Sequence, residues 1–262
     1  MHRRPVLSTI FFALAVGAAC TASQEAVHVQ LDVQLDASGI SPTTNDAGWV
    51  VELTTARVAA SDLQFTILGE MHGATASLGG RLSDWLIARA WAHPGHYAGG
   101  DVTGELAGDF IFDWLGHDGM KLGAADMLTG DYNGLNFTFR AATAADGLEA
   151  TDPLLGHAVH FVGVARKAGQ EVGFTAVLDL AAGTQVVGAP FEDTVDAASV
   201  DPIEFQFLPT DPIEGKSLFD GLDFAALDDD ADGSVSIGPG DEAHNILRRT
   251  LQSHVHYNAS PR

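Results

Sequence analysis

From Val27 the chain alternates. Val27, Val29, Leu31, Val33 and Leu35 fall on one side, and His28, Gln30, Asp32 and Gln34 on the other. A repeat of two sends successive side chains to opposite faces, so this stretch predicts a half-buried strand with His28 on its wet face. A loop rich in Gly, Ser, Thr and Asn spans 38–48, and the pattern then returns over Trp49 to Val58. It returns again at Leu63, Phe65 and Ile67 after a short break. Val102 to Leu115 carries Phe110, Phe112 and Trp114 in alternation with Ile111 and Asp113, and Leu135, Phe137 and Phe139 alternate with polar neighbours. Phe161 to Ala165 and Val172 to Leu180 flank Arg166–Gln170, a five-residue connection containing Gly169 that reads as a β-hairpin turn. Val186-Val187 and Ile203, Phe205 and Phe207 supply two more strands.

Two stretches have helical spacing instead. In 81–91, Leu82, Trp85, Leu86 and Ala90 share one face, and Pro94 forbids continuation. In 241–252, acidic residues open the segment and Arg248 and Arg249 close it, matching the helix dipole. About eight to ten short strands punctuated by Gly, Pro, Asn and Asp point to a mainly β protein. The expected architecture is an antiparallel β-sandwich, or a barrel-like relative, with one or two short helices and a C-terminal helical extension. Residues 27–212 form the sandwich and 213–262 the extension packed on it.

The first residues belong to a different physical class. Arg3 and Arg4 precede an apolar run over Val6 to Val16, broken only by Ser8 and Thr9, and Gly17-Ala18-Ala19 leads into Cys20. This reads as a secretory signal over 1–19, followed by a short polar tether at 20–26. Cys20, the single cysteine, sits where a bacterial lipoprotein signal is cut and acylated. Lipidation there would make the anchor the only membrane contact and place the protein in the cell envelope, periplasmic or attached to the outer membrane. With one cysteine there is no internal disulfide. The formal charge of −22 repels phosphate backbones and excludes nucleic acid as a partner, while favouring cations.

The acidity is most organised at 228–236. Asp228, Asp230, Asp232 and Gly233 match the D-x-D-x-D-G opening of a calcium loop, in which alternate carboxylates converge on a hard cation and glycine permits the turn. Ser234 would offer its backbone carbonyl, Val235 an apolar anchor and Ser236 a direct or water-bridged oxygen. The twelfth position is Pro239 where such loops carry a bidentate Glu, so Asp241 or Glu242 is the candidate substitute.

Histidines form the second cation-binding candidate. There are eleven, several in close pairs: His93 and His96, His157 and His160, His254 and His256, with His72 two residues after Glu70. Imidazole suits copper and zinc. His93 and His96 straddle a Pro-Gly turn at the end of the first helix, and His254 and His256 share one face if extended. The two pairs with His72 make up the candidate transition-metal set. No H-E-x-x-H, cysteine cluster, G-x-S-x-G elbow, P-loop or dinucleotide fingerprint occurs, so nothing points to an enzyme.

The lipoprotein-like leader, the early Trp and strand segments, and Trp91 just before His93-Pro-Gly-His96 together resemble the copper-binding proteins of methanobactin and copper-repressible loci. That resemblance implies a secreted β-rich protein holding copper through histidines, sometimes beside an oxidised tryptophan, and it transfers no ligand set. The run from His93 to Glu105 also looks like a pattern in uncharacterised bacterial lipoproteins. The leading expectation is a non-enzymatic envelope lipoprotein that binds copper or zinc for scavenging or delivery. Its alternative is a calcium-stabilised surface, adhesion or interaction module in which the histidines are incidental.

Overall fold

The computed structural model describes residues 27–67 and 100–262. The expected signal, Cys20, the first helix, and His72, His93 and His96 lie outside these residues. Among the described residues, twelve strands join one large mixed sheet that does not close and is folded in a β-sandwich-like arrangement. They are β1 (His28–Asp36), β2 (Thr43–Thr44), β3 (Val50–Ile67), β4 (Asp101–Asp113), β5 (Lys121–Leu128), β6 (Gly130–Phe139), β7 (Val159–Lys167), β8 (Gln170–Leu178), β9 (Gln185–Val195), β10 (Ile203–Phe207), β11 (Ser234–Ile237) and β12 (Tyr257–Pro261). The described helices are α1 (Phe224–Leu227) and α2 (Glu242–Thr250).

The organising strand is β3, 18 residues long. The break expected between Val58 and Leu63 is a bulge within one strand, not a gap between two. The register slips between Ser61 and Leu63, and Asp62 takes the left-handed conformation at φ 50°. Its carboxylate accepts the Gly108 amide on the facing strand at 2.9 Å, which ties the bulge to β4. On one edge β3 pairs with β4. On the other it pairs with β7 through Val50–Val58 and with β6 through Ala60–Thr66. The sheet therefore forks at the bulge. The connection 140–158, which runs from the end of β6 to the start of β7, lies over that fork and is pinned by Ala59 N–H to the Ala158 carbonyl and Arg140 N–H to the Ala59 carbonyl.

Among the described strands, pairing is antiparallel except in two places. β10 runs parallel to β1, and β11 runs parallel to β8. Both are late segments laid onto earlier strands by long connections, the route a parallel pair needs.

Alternating inward residues build the core. Trp114 lies fully buried among Phe112, Phe205 and Phe207, and donates its indole N–H to the Phe205 carbonyl at 2.9 Å. The segment 213–262 contributes to this core directly. Tyr257 of β12 packs edge-on to Phe137 with ring centroids 4.8 Å apart, and Phe219 and Phe224 pack on Phe174. A second, small apolar cluster lies outside the sheet, where Ala142 and Leu154 of the 140–158 connection cover Ala59, with Ile111 and Leu148 beside them.

Candidate functional site

The acidic loop is held from both ends. Before it, Asp223 caps α1 by accepting the Ala225 amide and also accepts the Trp49 indole N–H at 3.1 Å, while Phe224 packs edge-on to Trp49. After it, β11 pairs with β8, and Gly173 N–H bonds the Gly233 carbonyl at 2.9 Å. Between these anchors Ala231 and Gly233 have φ of 56° and 81°, and the chain turns tightly enough for the carboxylates to meet. Asp228, Asp230 and Asp232 each present an oxygen, and all three oxygens lie within 4.8 Å of one another.

Backbone amides hold these side chains. Asp228 accepts from the amides of Asp232 at 3.0 Å and Gly233 at 3.1 Å, and Asp232 accepts from Ser234 at 2.8 Å. A carboxylate oxygen has two lone pairs, so accepting an amide leaves capacity for a cation. Val235 is buried against the sheet as the apolar anchor, with Ser234 and Ser236 on the exposed face of β11. Asp241 does not join the three carboxylates among the described residues. β11 is extended and carries the chain away, and Asp241 stands before α2 with its carboxylate accepting the Gly238 amide at 2.7 Å. The loop thus offers three carboxylates and an open, wet side.

The histidines separate. His254 and His256 do not share a strand face, because they lie in a 3-10 turn and β12 begins only at Tyr257. They do line one cavity of about 290 Å³ together with Asp211, Glu214 and Asp220. His256 is buried and its Nδ1 stands 2.8 Å from the Leu208 carbonyl. A carbonyl only accepts, so Nδ1 carries the proton and Nε2 keeps the ring's lone pair. Burial pushes its pKa down and holds the ring neutral. His157 and His160 also part: His157 pairs with Asp179 at 2.7 Å before β7 begins, whereas His160 is buried within β7 opposite Arg57. Among the described residues no histidine joins a group of three or more ligand-type side chains close enough to share one ion.

Sequence reasoning missed a cleft of about 510 Å³ on the outer face of the sheet, between β4 and the 140–158 connection. Arg57 and Arg140 stand beside it. Arg57 clamps Asp152 at 2.9 and 3.0 Å, and Arg140 clamps Asp146 at 2.9 and 2.5 Å. Each guanidinium, hydrogen-bonded to its carboxylate, holds that Asp pKa below the ordinary range. The available signal was Asp109-x-Ile111-x-Asp113, an apolar residue on the wet side of a strand between two acids. No family model, curated protein or solved structure matches the chain.

Proposed function

We propose that the protein is a non-enzymatic binding module of the cell envelope in which calcium, held by Asp228, Asp230 and Asp232, fastens the C-terminal extension to the β-sandwich-like body. The observation that carries this reading is the convergence of the three carboxylates in a loop anchored on Trp49 at one end and β8 at the other. Three carboxylates without a bidentate twelfth ligand form a weak site, of the order of 10⁻⁴–10⁻³ M, as in extracellular calcium modules. Such an affinity fits a compartment with abundant calcium, in keeping with the secretory leader.

Histidine binding of copper or zinc is the second reading. It is favoured by the neutral, backbone-oriented His256 in an acid-lined cavity, an arrangement common among metal-ligating histidines.

Thermal melts separate the two. Calcium at ten times its Kd should stabilise by roughly 1.4 kcal/mol, which is about 3–6 °C for a chain of this size. Asp230→Ala should abolish that gain, while magnesium at equal concentration should give little of it. Equal shifts in the parent and the variant would mean diffuse screening of the negative charge and would end the calcium reading. Stabilisation by copper or zinc that His256→Ala removes would favour the histidines instead.

A further inference from the structure

The outer-face cleft has a charge arrangement that its own arginines do not use up. Arg140 spends its donors within the protein, on the carbonyls of Ala60, Ala141 and Phe110 and on Asp146. Arg57 gives both terminal nitrogens to Asp152. Arg140 therefore has no donor left for an incoming anion, and the Nε of Arg57 faces Asp113 at 3.9 Å. Two carboxylates on β4 are only loosely matched. Asp113 stands 3.9 Å from Arg57 Nε and 3.9 Å from His117, and its hydrogen bond to Gly116 N–H is local. Asp109, 66 % exposed, meets only the edge of Arg140, at 3.2 Å.

These two acids lie on one face of β4, with Ile111 between them. Four residues of strand place their backbones about 13 Å apart. Leu148 and Met120 extend the apolar strip from Ile111 along the cleft. The order is carboxylate, hydrocarbon, carboxylate, in a space roomy enough for a small ligand.

We propose that this cleft binds a linear organic polycation, an α,ω-diamine or polyamine, with one terminal ammonium at Asp109, the other at Asp113 and the chain between them along Ile111, Leu148 and Met120. Each ammonium adds charge-assisted hydrogen-bond donors to a carboxylate that has few, and the methylenes cover apolar surface otherwise left to water. Two charges on one chain also gain from linkage, because the second contact forms at high effective concentration. A metal dication satisfies neither the separation nor the apolar strip. This assignment is independent of the calcium loop.

Calorimetry with spermidine, cadaverine, ethylenediamine, butylamine and magnesium on the full chain at moderate salt tests it. Spermidine should bind at one site, and more tightly than ethylenediamine, which is too short to span both acids, or butylamine, which has one charge. Asp109→Asn removes one anchor at an exposed position and should weaken spermidine roughly tenfold with the melting temperature unchanged. Asp131→Asn, an exposed acid on β6, should leave the affinity as it is. Absence of spermidine binding overturns the proposal. So does equal binding of ethylenediamine or magnesium, or an Asp109→Asn variant that binds as the parent does.

Discussion

A chain ending at Pro212 is expected not to fold. The tempting cut separates a β-rich body from a C-terminal segment of different composition, and the segment looks like an appendage in the sequence. The truncated chain would not pay the conformational entropy of ordering fifty residues, so the body's exposed surface decides the outcome. Tyr257 covers Phe137, Phe205 and Phe207, while Phe219 and Phe224 cover Phe174 and, in the case of Phe224, Trp49 as well. Uncovering several buried aromatics costs roughly 1.5–3 kcal/mol for each full side-chain equivalent, set against a typical total stability of about 5–15 kcal/mol. Removal of β12 also turns β10 into an unpaired edge, a template for aggregation. Expression of 27–212 beside 27–262, followed by near-ultraviolet circular dichroism, checks this. A soluble fragment with a cooperative melt close to the parent's would show that the extension is peripheral.

Arg140→Ala should be the most damaging single change outside the apolar core. Asp146 keeps only 8 % of its side-chain surface in water, and Arg140 supplies its charge partner as well as donors for three backbone carbonyls. Deleting one member of a buried pair leaves the other uncompensated, at a cost of about 3–5 kcal/mol. For a domain of this size that lowers the melting temperature by roughly 10 °C. The pH dependence identifies the cause. Asp146 has a folded pKa below its unfolded one, so the pair's contribution is fully present above the ordinary carboxylate value of about 3.9. It is lost as pH falls through the lower, folded value. In Arg140→Ala the carboxylate loses the partner that depressed its pKa. The deficit relative to the parent should therefore be largest near neutrality and shrink on acidification below about pH 4. Urea denaturation across that range measures it, and a deficit constant with pH would assign the loss to packing alone.

The legible parts of the fold were those in which large apolar side chains alternate. β1, β4, β7 and β8 read directly, as did the 166–170 turn, whose Ala168 and Gly169 have φ of 49° and 86°. β5 did not read, because Gly123, Ala124 and Ala125 leave too little contrast between faces. A Cβ on Gly123 would meet the tip of the Leu106 side chain at 2.7 Å, so that side chain would have to shift to admit one. β11 and β12 are short strands made by pairing with β8 and β10, and nothing local announces them. His-Val-His at 254–256 imitates an alternating strand but lies in a turn. The acid loop was legible because its ligands are neighbours in sequence. The cleft was not, since its walls come from three distant segments.

The fork at β3 bears on how the molecule opens. One strand supplies hydrogen bonds to β2, β4, β6 and β7, so neither branch of the sheet detaches without breaking ladders that the other shares. Partial opening has no seam to follow there. Amides in the middle of β3 should exchange with deuterium only when the whole body unfolds, while the ends of β11 and β12 exchange through local fraying. A ligand in the outer cleft or a cation at the acid loop would then slow exchange at β3 as a whole, although neither touches most of its length.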